Sequence, residues 1–206
     1  MLQNKTIVIT RPIHQAKKLD DLLKQNGYQT ILFPTIIIET IDNRLYKKAL
    51  DRINQYHIAI FVSANAVNDN IVNALKKNLH ILIIAIGPGT AQSLRSRGIT
   101  HLIVPATYNS QGIIMMAELQ NIQNKQIAIF CGEPARPLLK DALQERSAKV
   151  NQIICYRRQR PAVDGRTILD QWQSEPIAMI ISTSSENLAN FWQIFGKINP
   201  AWLTTV

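Results

Sequence analysis

The chain has 206 residues, 46% hydrophobic and 18% charged, enough apolar material for one or two packed cores and no bias toward disorder. No stretch approaches the ~20 apolar residues of a membrane span, and the opening MLQNKTIVITRP lacks the cationic start, apolar run and cleavage site of a secretory leader, so a cytoplasmic protein is expected. A formal net charge of +9 attracts polyanions without choosing among nucleic acid, an anionic membrane surface and a small substrate with many carboxylates or phosphates.

Residues 6–10 read as a strand buried on both faces, and Arg11-Pro12 opens a helix with apolar positions Ala16, Leu19, Leu22 and Leu23, ended by Gly27. Residues 30–33 give a second strand. Pro34 interrupts the apolar run before Ile36, Ile37 and Ile38, and proline cannot donate to a central ladder, so a change of sheet is expected there. Residues 45–53 predict a helix. Residues 58–62 form the next buried strand, with Ser63 and Asn65 as turn and cap for a helix through Ile71, Val72 and Leu75. The strand 82–86 feeds Gly87-Pro88-Gly89-Thr90 and a helix 91–97 closed by Gly98. A short strand 102–104 ends at Pro105, and Ser110-Gln111-Gly112 precedes a helix 113–119. Strand 127–130, helix 137–145 and strand 150–156 follow, after which the polar residues 157–165, with Pro161 and Gly165, read as a linker. The strand 177–181 runs through Thr183, Ser184, Ser185 and Asn187 into a helix ending at Phe195, and residues 202–206 begin one more strand. Strands alternating with helices of this length predict parallel α/β units. Ligands of such sheets sit outside the carboxyl ends of the strands, where these polar loops lie.

Several chemistries lack support. Gly87-Pro88-Gly89 is no dinucleotide loop, because the third glycine of that fingerprint falls on Gln92 and Pro88 removes a backbone donor. There is no phosphate-binding GxxxxGK[ST], and neither Ser63 nor Ser184 sits in a GxSxG elbow. His14, His57, His80 and His101 are too scattered for a metal set, and Cys131 and Cys155, each inside a strand-like run, read as buried thiols. Most basic residues fall on polar helix faces, with Arg157, Arg158 and Arg160 the densest group. At 6% aromatics, with no basic–aromatic clusters, the chain offers no stacking platform for nucleic acid, and no acidic metal motif supports a nucleotide-sugar transferase. What remains is a binding protein, or an enzyme whose substrate supplies most of the reactivity.

Taken together, Thr10-Arg11-Pro12, FVSANAV, AIGPGTAQSLRSRG, CGEPARPLLKDAL, ICYRRQRP and ISTSSENL, in this order over nearly the whole chain, resemble the uroporphyrinogen-III synthase family. The resemblance implies two parallel-sheet α/β domains of similar topology joined by a two-stranded linker, one from residues 1–35 and 161–206 and the other from residues 36–160. It implies closure of the linear tetrapyrrole hydroxymethylbilane to uroporphyrinogen III through a spiro intermediate, with loss of water and inversion of the last ring. No metal or organic cofactor is implied. Tyr156 matches the tyrosine the family offers as proton donor to the departing hydroxyl; the competing reading is a tyrosine that packs at a strand end. Thr10, Arg11, Ser63, Ala64, Asn65, Gly87, Thr90, Arg136, Thr183 and Ser184 match substrate-binding positions, with helix N-termini after Thr10, Ser63, Gly87 and Ser184 expected to receive carboxylates. For the hydroxyls the competing reading is local capping, and for the arginines a solvated helix start. Two departures are expected to matter: Gly132-Glu133-Pro134-Ala135-Arg136 replaces a more glycine-rich loop, and the chain is expected to lack the family's final strand–helix units. A monomer is implied, binding neither nucleic acid nor membrane, with at most a transient contact with the enzyme that supplies the substrate. A non-catalytic two-domain module for a small polyanionic ligand shares the fold and charge and is the alternative.

Overall fold

Thr6–Ile9 (β1) is buried at every position, as a strand with neighbours on both sides and helices above and below must be. The computed structural model describes residues 6–42, 44, 46–172 and 177–196, and the strand expected at 202–206 lies outside them. The chain divides into two units, Met1–Ile38 with Arg158–Val206, and Glu39–Arg157. It passes between them twice, within β3 (Ile37–Thr40) and within β7 (Lys149–Gln159).

In the first unit β1 lies between β2 (Gln29–Leu32) and β8 (Ile177–Ile181), both parallel to it. After β1 the chain turns into α1 (Ile13–Gln25), which buries Ala16 and Asp20. Leu22, expected on the apolar face, is 55% exposed. At about 100° per residue Ala16, Leu19, Asp20 and Leu23 share one side of the helix and Leu22 falls outside it. The Asp20 carboxylate accepts from Lys24 at 2.8 Å and from the Thr30 hydroxyl, tying α1 to β2, and both bonds hold its pKa below the usual carboxylate range. Gly27, at φ +80°, supplies the left-handed turn that ends the helix region.

The expected linker 157–165 is shorter than its polar composition suggests. β7 extends through Arg157 and Arg158 to Gln159, and an unforeseen helix, α7 (Gly165–Trp172), begins directly after Asp164. The Asp164 carboxylate caps it, accepting from the Thr167 hydroxyl at 2.9 Å and from the Arg166 N–H at 3.2 Å. Leu169 and Trp172 of α7 then close the core with Val8, Phe33, Phe191 and Phe195. The Phe33 ring meets Trp172 edge-on at 5.2 Å, and Phe191 and Phe195 lie 4.6 Å apart on α8 (Ser185–Phe195). β8, expected to be buried on both faces, is half-exposed, with Met179 44% open, because it borders its sheet on one side only among the described strands.

The second unit carries the order β3-β7-β6-β4-β5, with β4 Ile58–Phe61, β5 Leu82–Ala85 and β6 Gln126–Glu133. β4 pairs in parallel with β5 and β6, and β6 with β7. Ile58, Ile60, Ile127 and Ile129 face one core, while Phe61 and its register partner Phe130 stack at 4.6 Å. β2 and β3 lie in different sheets, on either side of Pro34. Around the second sheet are α2 (Lys47–Asp51), α3 (Asp69–Lys76), α4 (Pro88–Arg95), α5 (Ser110–Ile114) and α6 (Pro137–Glu145). Three expectations are corrected. No helix starts at Ser63: residues 64–66 form a single tight turn, and α3 begins five residues later under the cap of Asn68, whose Oδ1 accepts from Ile71 N–H at 3.1 Å. The strand expected at 102–104 reduces to one parallel bridge, Ile103 beside Ile84, because Pro105 follows at once. The helix expected at 113–119 starts earlier, at Ser110, and breaks at Met115 before a tight turn over Ala117–Leu119.

Candidate functional site

In the second sheet adjacent strands send their following connections in opposite directions, β4 to β5 and β6 to β7. Loops leaving such a pair diverge and open a crevice at the carboxyl ends. In the first unit β1 leads to β2 on one side while β8 lies on the other. The sequence-predicted residues collect at these strand ends: Thr10, Arg11, Thr183 and Ser184 follow β1 and β8, and Ser63, Ala64, Asn65 and Arg136 follow β4 and β6.

In the first unit Thr10 is fully buried and both its backbone N–H and its hydroxyl donate to the Ile181 carbonyl, at 3.1 and 3.0 Å. Its side chain clamps β1 to β8 and offers no hydroxyl to solvent. Arg11, next in the chain, is half-buried, and its Nε is shut off from solvent with no hydrogen-bond partner among the described residues. An unpaired guanidinium N–H in such a place favours an anion. Thr183 and Ser184 are exposed, and the Ser184 hydroxyl accepts from the Asn187 N–H at 3.1 Å, capping α8. Behind this end of the sheet lies a polar cluster that sequence reasoning misses. The buried Thr35 hydroxyl donates to the Asn187 carbonyl at 3.0 Å, and Asn190 Nδ2 donates to the Thr35 carbonyl at 2.9 Å. Arg158 stands out in the sequence only as part of a basic group; its Nε lies 3.4 Å from the Glu186 carboxylate at the start of α8.

In the second unit Ser63, Ala64 and Asn65 are partly exposed, and the Ser63 hydroxyl accepts from the Asn65 N–H at 3.2 Å, holding a turn where a helix cap was expected. Gly87 precedes α4 with no side-chain cap, leaving first-turn N–H groups for another acceptor; Thr90, inside α4, is 5% exposed. Arg136 is exposed, and its carbonyl accepts from Gln152 Nε2 at 3.1 Å. A cavity of about 390 Å³ is lined by Ile41, Tyr46, Lys48, Glu133, Gln152 and Arg157, and no predicted site residue borders it.

Tyr156 is 4% exposed, and among the described residues nothing hydrogen-bonds its hydroxyl. Its place follows from an irregularity in the β6–β7 pairing: Cys131 stands opposite Ile154, but Gly132 stands opposite Tyr156, so Cys155 is an extra residue in β7. One position on, Glu133 and Arg157 form an exposed ion pair. Burial pushes the Cys131 thiol up to about 11 and the Cys155 thiol to about 12, so both stay protonated and neither is a nucleophile at neutral pH. Among the described residues no group of three acidic, histidine or cysteine side chains is placed to hold a metal ion, and no helix is long and apolar enough to cross a membrane.

The family model described as Uroporphyrinogen-III synthase HemD matches residues 17–206. The chain belongs to the uroporphyrinogen-III synthase family. A uroporphyrinogen-III synthase of Salmonella typhimurium LT2 is 27% identical over 211 residues, covering 96% of this chain and 81% of that protein. The Escherichia coli K12 uroporphyrinogen-III synthase is 32% identical over 119 residues, 57% of this chain, and the match spans 47% of that relative. Among solved structures, a mutant uroporphyrinogen III synthase from the extremely thermophilic bacterium Thermus thermophilus superposes with a TM-score of 0.63 over 92% of this chain and 76% of its own, at 17% identity, a likeness of fold.

Proposed function

We propose that the chain is a uroporphyrinogen-III synthase, closing hydroxymethylbilane to uroporphyrinogen III with inversion of ring D and loss of water. The observation that carries the reading is the family match over residues 17–206. The reaction asks little of side chains. Once the hydroxymethyl oxygen leaves as water, the electron-rich pyrrole stabilises its own cation, and what the protein must add is a proton for that oxygen and a surface that holds the chain curled.

The polar loops at the strand ends suit such a guest. The substrate is a polycarboxylate and the protein carries +9. Arg11 brings an unpaired N–H and α4 an uncapped N-terminus, both favourable for carboxylates. Ser63, Ala64, Asn65, Gly87, Arg136, Thr183 and Ser184 complete the proposed binding loops, while Thr10 and Thr90 support them from within. Tyr156 is the proposed proton donor. A buried tyrosine ordinarily finds a hydrogen-bond partner, and this hydroxyl has none among the described residues, which leaves it for the departing oxygen. The same reading makes the protein a cytoplasmic monomer with domains at residues 1–35 with 161–206 and 36–160, needing no cofactor.

Freshly prepared hydroxymethylbilane, incubated with the protein and oxidised before isomer separation, tests the proposal. The type III isomer is expected to dominate; the type I isomer alone, which forms without catalysis, refutes it. Tyr156→Phe is expected to lower kcat by about 10²-fold, the low end of general-acid effects. An unchanged kcat assigns Tyr156 to packing.

A further inference from the structure

We infer that Gly132 is a positioning residue for Tyr156, its missing side chain setting where the phenol sits. The inference rests on Tyr156 being the proton donor. Glycine inside a strand weakens the strand and marks a close approach of some other group. Here that group is the ring itself: a Cβ on Gly132 would collide with Tyr156 Cζ and lie 2.5 Å from Cε2 and 2.9 Å from Cε1. The hydroxyl-bearing end of the phenol therefore rests on the Gly132 backbone. Space is the requirement, since the positive-φ glycines are Gly27 and Gly98.

The extra residue Cys155 makes the approach possible. Regular pairing continued from Cys131 and Ile154 would set Cys155 opposite Gly132; the irregularity brings Tyr156 there instead. Two buried neighbours in succession, Cys155 and Tyr156, break the strand's alternation and aim the ring across β6. The phenol is thus held by a floor with no Cβ, by burial of all but 4% of the residue, and by no hydrogen bond among the described residues. Such a hydroxyl is fixed in space while its proton stays uncommitted.

Gly132→Ala puts a methyl where the ring rests. The atoms in conflict form the far end of a side chain with two rotatable bonds, so the ring swings aside while the strands stay paired. Displacement of a reacting group by about 1 Å can cost about 10²-fold in rate. Wild type, Gly132→Ala, Tyr156→Phe and the double variant are compared with freshly made hydroxymethylbilane, with circular dichroism melts as a check of folding. The expected result is a kcat for Gly132→Ala lowered by about 10- to 100-fold with KM changed by less than about twofold. In the double variant kcat stays within about twofold of Tyr156→Phe alone, because a displaced ring without a hydroxyl has no proton left to misplace. A wild-type kcat for Gly132→Ala, or a full second loss in the double variant, overturns the inference while leaving the proton donor standing. An unchanged kcat for Tyr156→Phe overturns both. Should Gly132→Ala not fold, combining it with Tyr156→Leu, which removes the conflicting ring, is expected to restore folding, and failure to do so refutes the contact.

Discussion

Thr35→Val probes how the first unit holds the loops at the carboxyl end of its sheet. The Thr35 hydroxyl is fully buried and shares its proton between two acceptors of Asn187, the carbonyl at 3.0 Å and the side-chain Oδ1 at 3.3 Å. Valine has nearly the same shape, so no cavity opens; what disappears is the donor. A buried acceptor left without its partner costs about 1–3 kcal/mol. The Asn187 carbonyl lies within α8 and keeps its place in the helix ladder, so the loss falls on the side-chain amide and belongs in the lower half, about 1–2 kcal/mol. For a chain of this size each kcal/mol shifts Tm by about 2–4 °C, which predicts a fall of about 2–8 °C. All three tryptophans, Trp172, Trp192 and Trp202, belong to Arg158–Val206, so a fluorescence melt reads this unit and not the other. Asn187→Leu alone should cost a similar amount, whereas Thr35→Val with Asn187→Leu should cost about 1 kcal/mol less than the sum, because both polar partners leave together. A wild-type melt for Thr35→Val, or two losses that simply add, would refute the assignment.

Two further outcomes follow from the second unit. Its thiols hold their protons to about 11 and about 12 when folded, whereas an unfolded cysteine ionises near 8.5, so their contribution is intact below about pH 8.5 and declines as pH rises toward 11–12. Denaturant midpoints between about pH 8 and pH 10.5 should fall more steeply for wild type than for the Cys131→Val, Cys155→Val double variant; parallel curves would contradict this. Asn68→Ala should cost about 1 kcal/mol in chemical denaturation by uncapping α3, and Asn68→Asp should retain most of that stability; equal losses would show that the cap is not what Asn68 supplies.

Local chemistry makes much of the fold readable. Runs such as residues 58–61 and 127–130 can only be strands buried on both faces, and Pro137 at a helix start or Gly27 and Gly98 beyond a helix end act through their own backbones. Where sequence and structure part, a distant partner decides. Gly165 reads as part of a linker because nothing local shows that Leu169 and Trp172 meet Phe33, over 130 positions earlier, and so hold α7 in place. Leu22 reads as core when apolarity is counted without its angle on the helix, and Asp20 reads as surface because its partner Thr30 is on β2.

The candidate site divides along the same line. Sequence alone determined the polar loops at strand ends, the basic balance and the parallel α/β units, since each follows from neighbouring residues or from composition. Tertiary structure decided which of those residues are free to act. Thr10 is used up by Ile181, 171 residues away, Thr35 by Asn187 at 152, and Arg11 is left with an unpaired Nε. It also set Tyr156 on Gly132, through an irregularity in strand pairing that no single strand can display. A hydrogen bond or a steric floor belongs to two segments at once, and only folding brings the second one into reach.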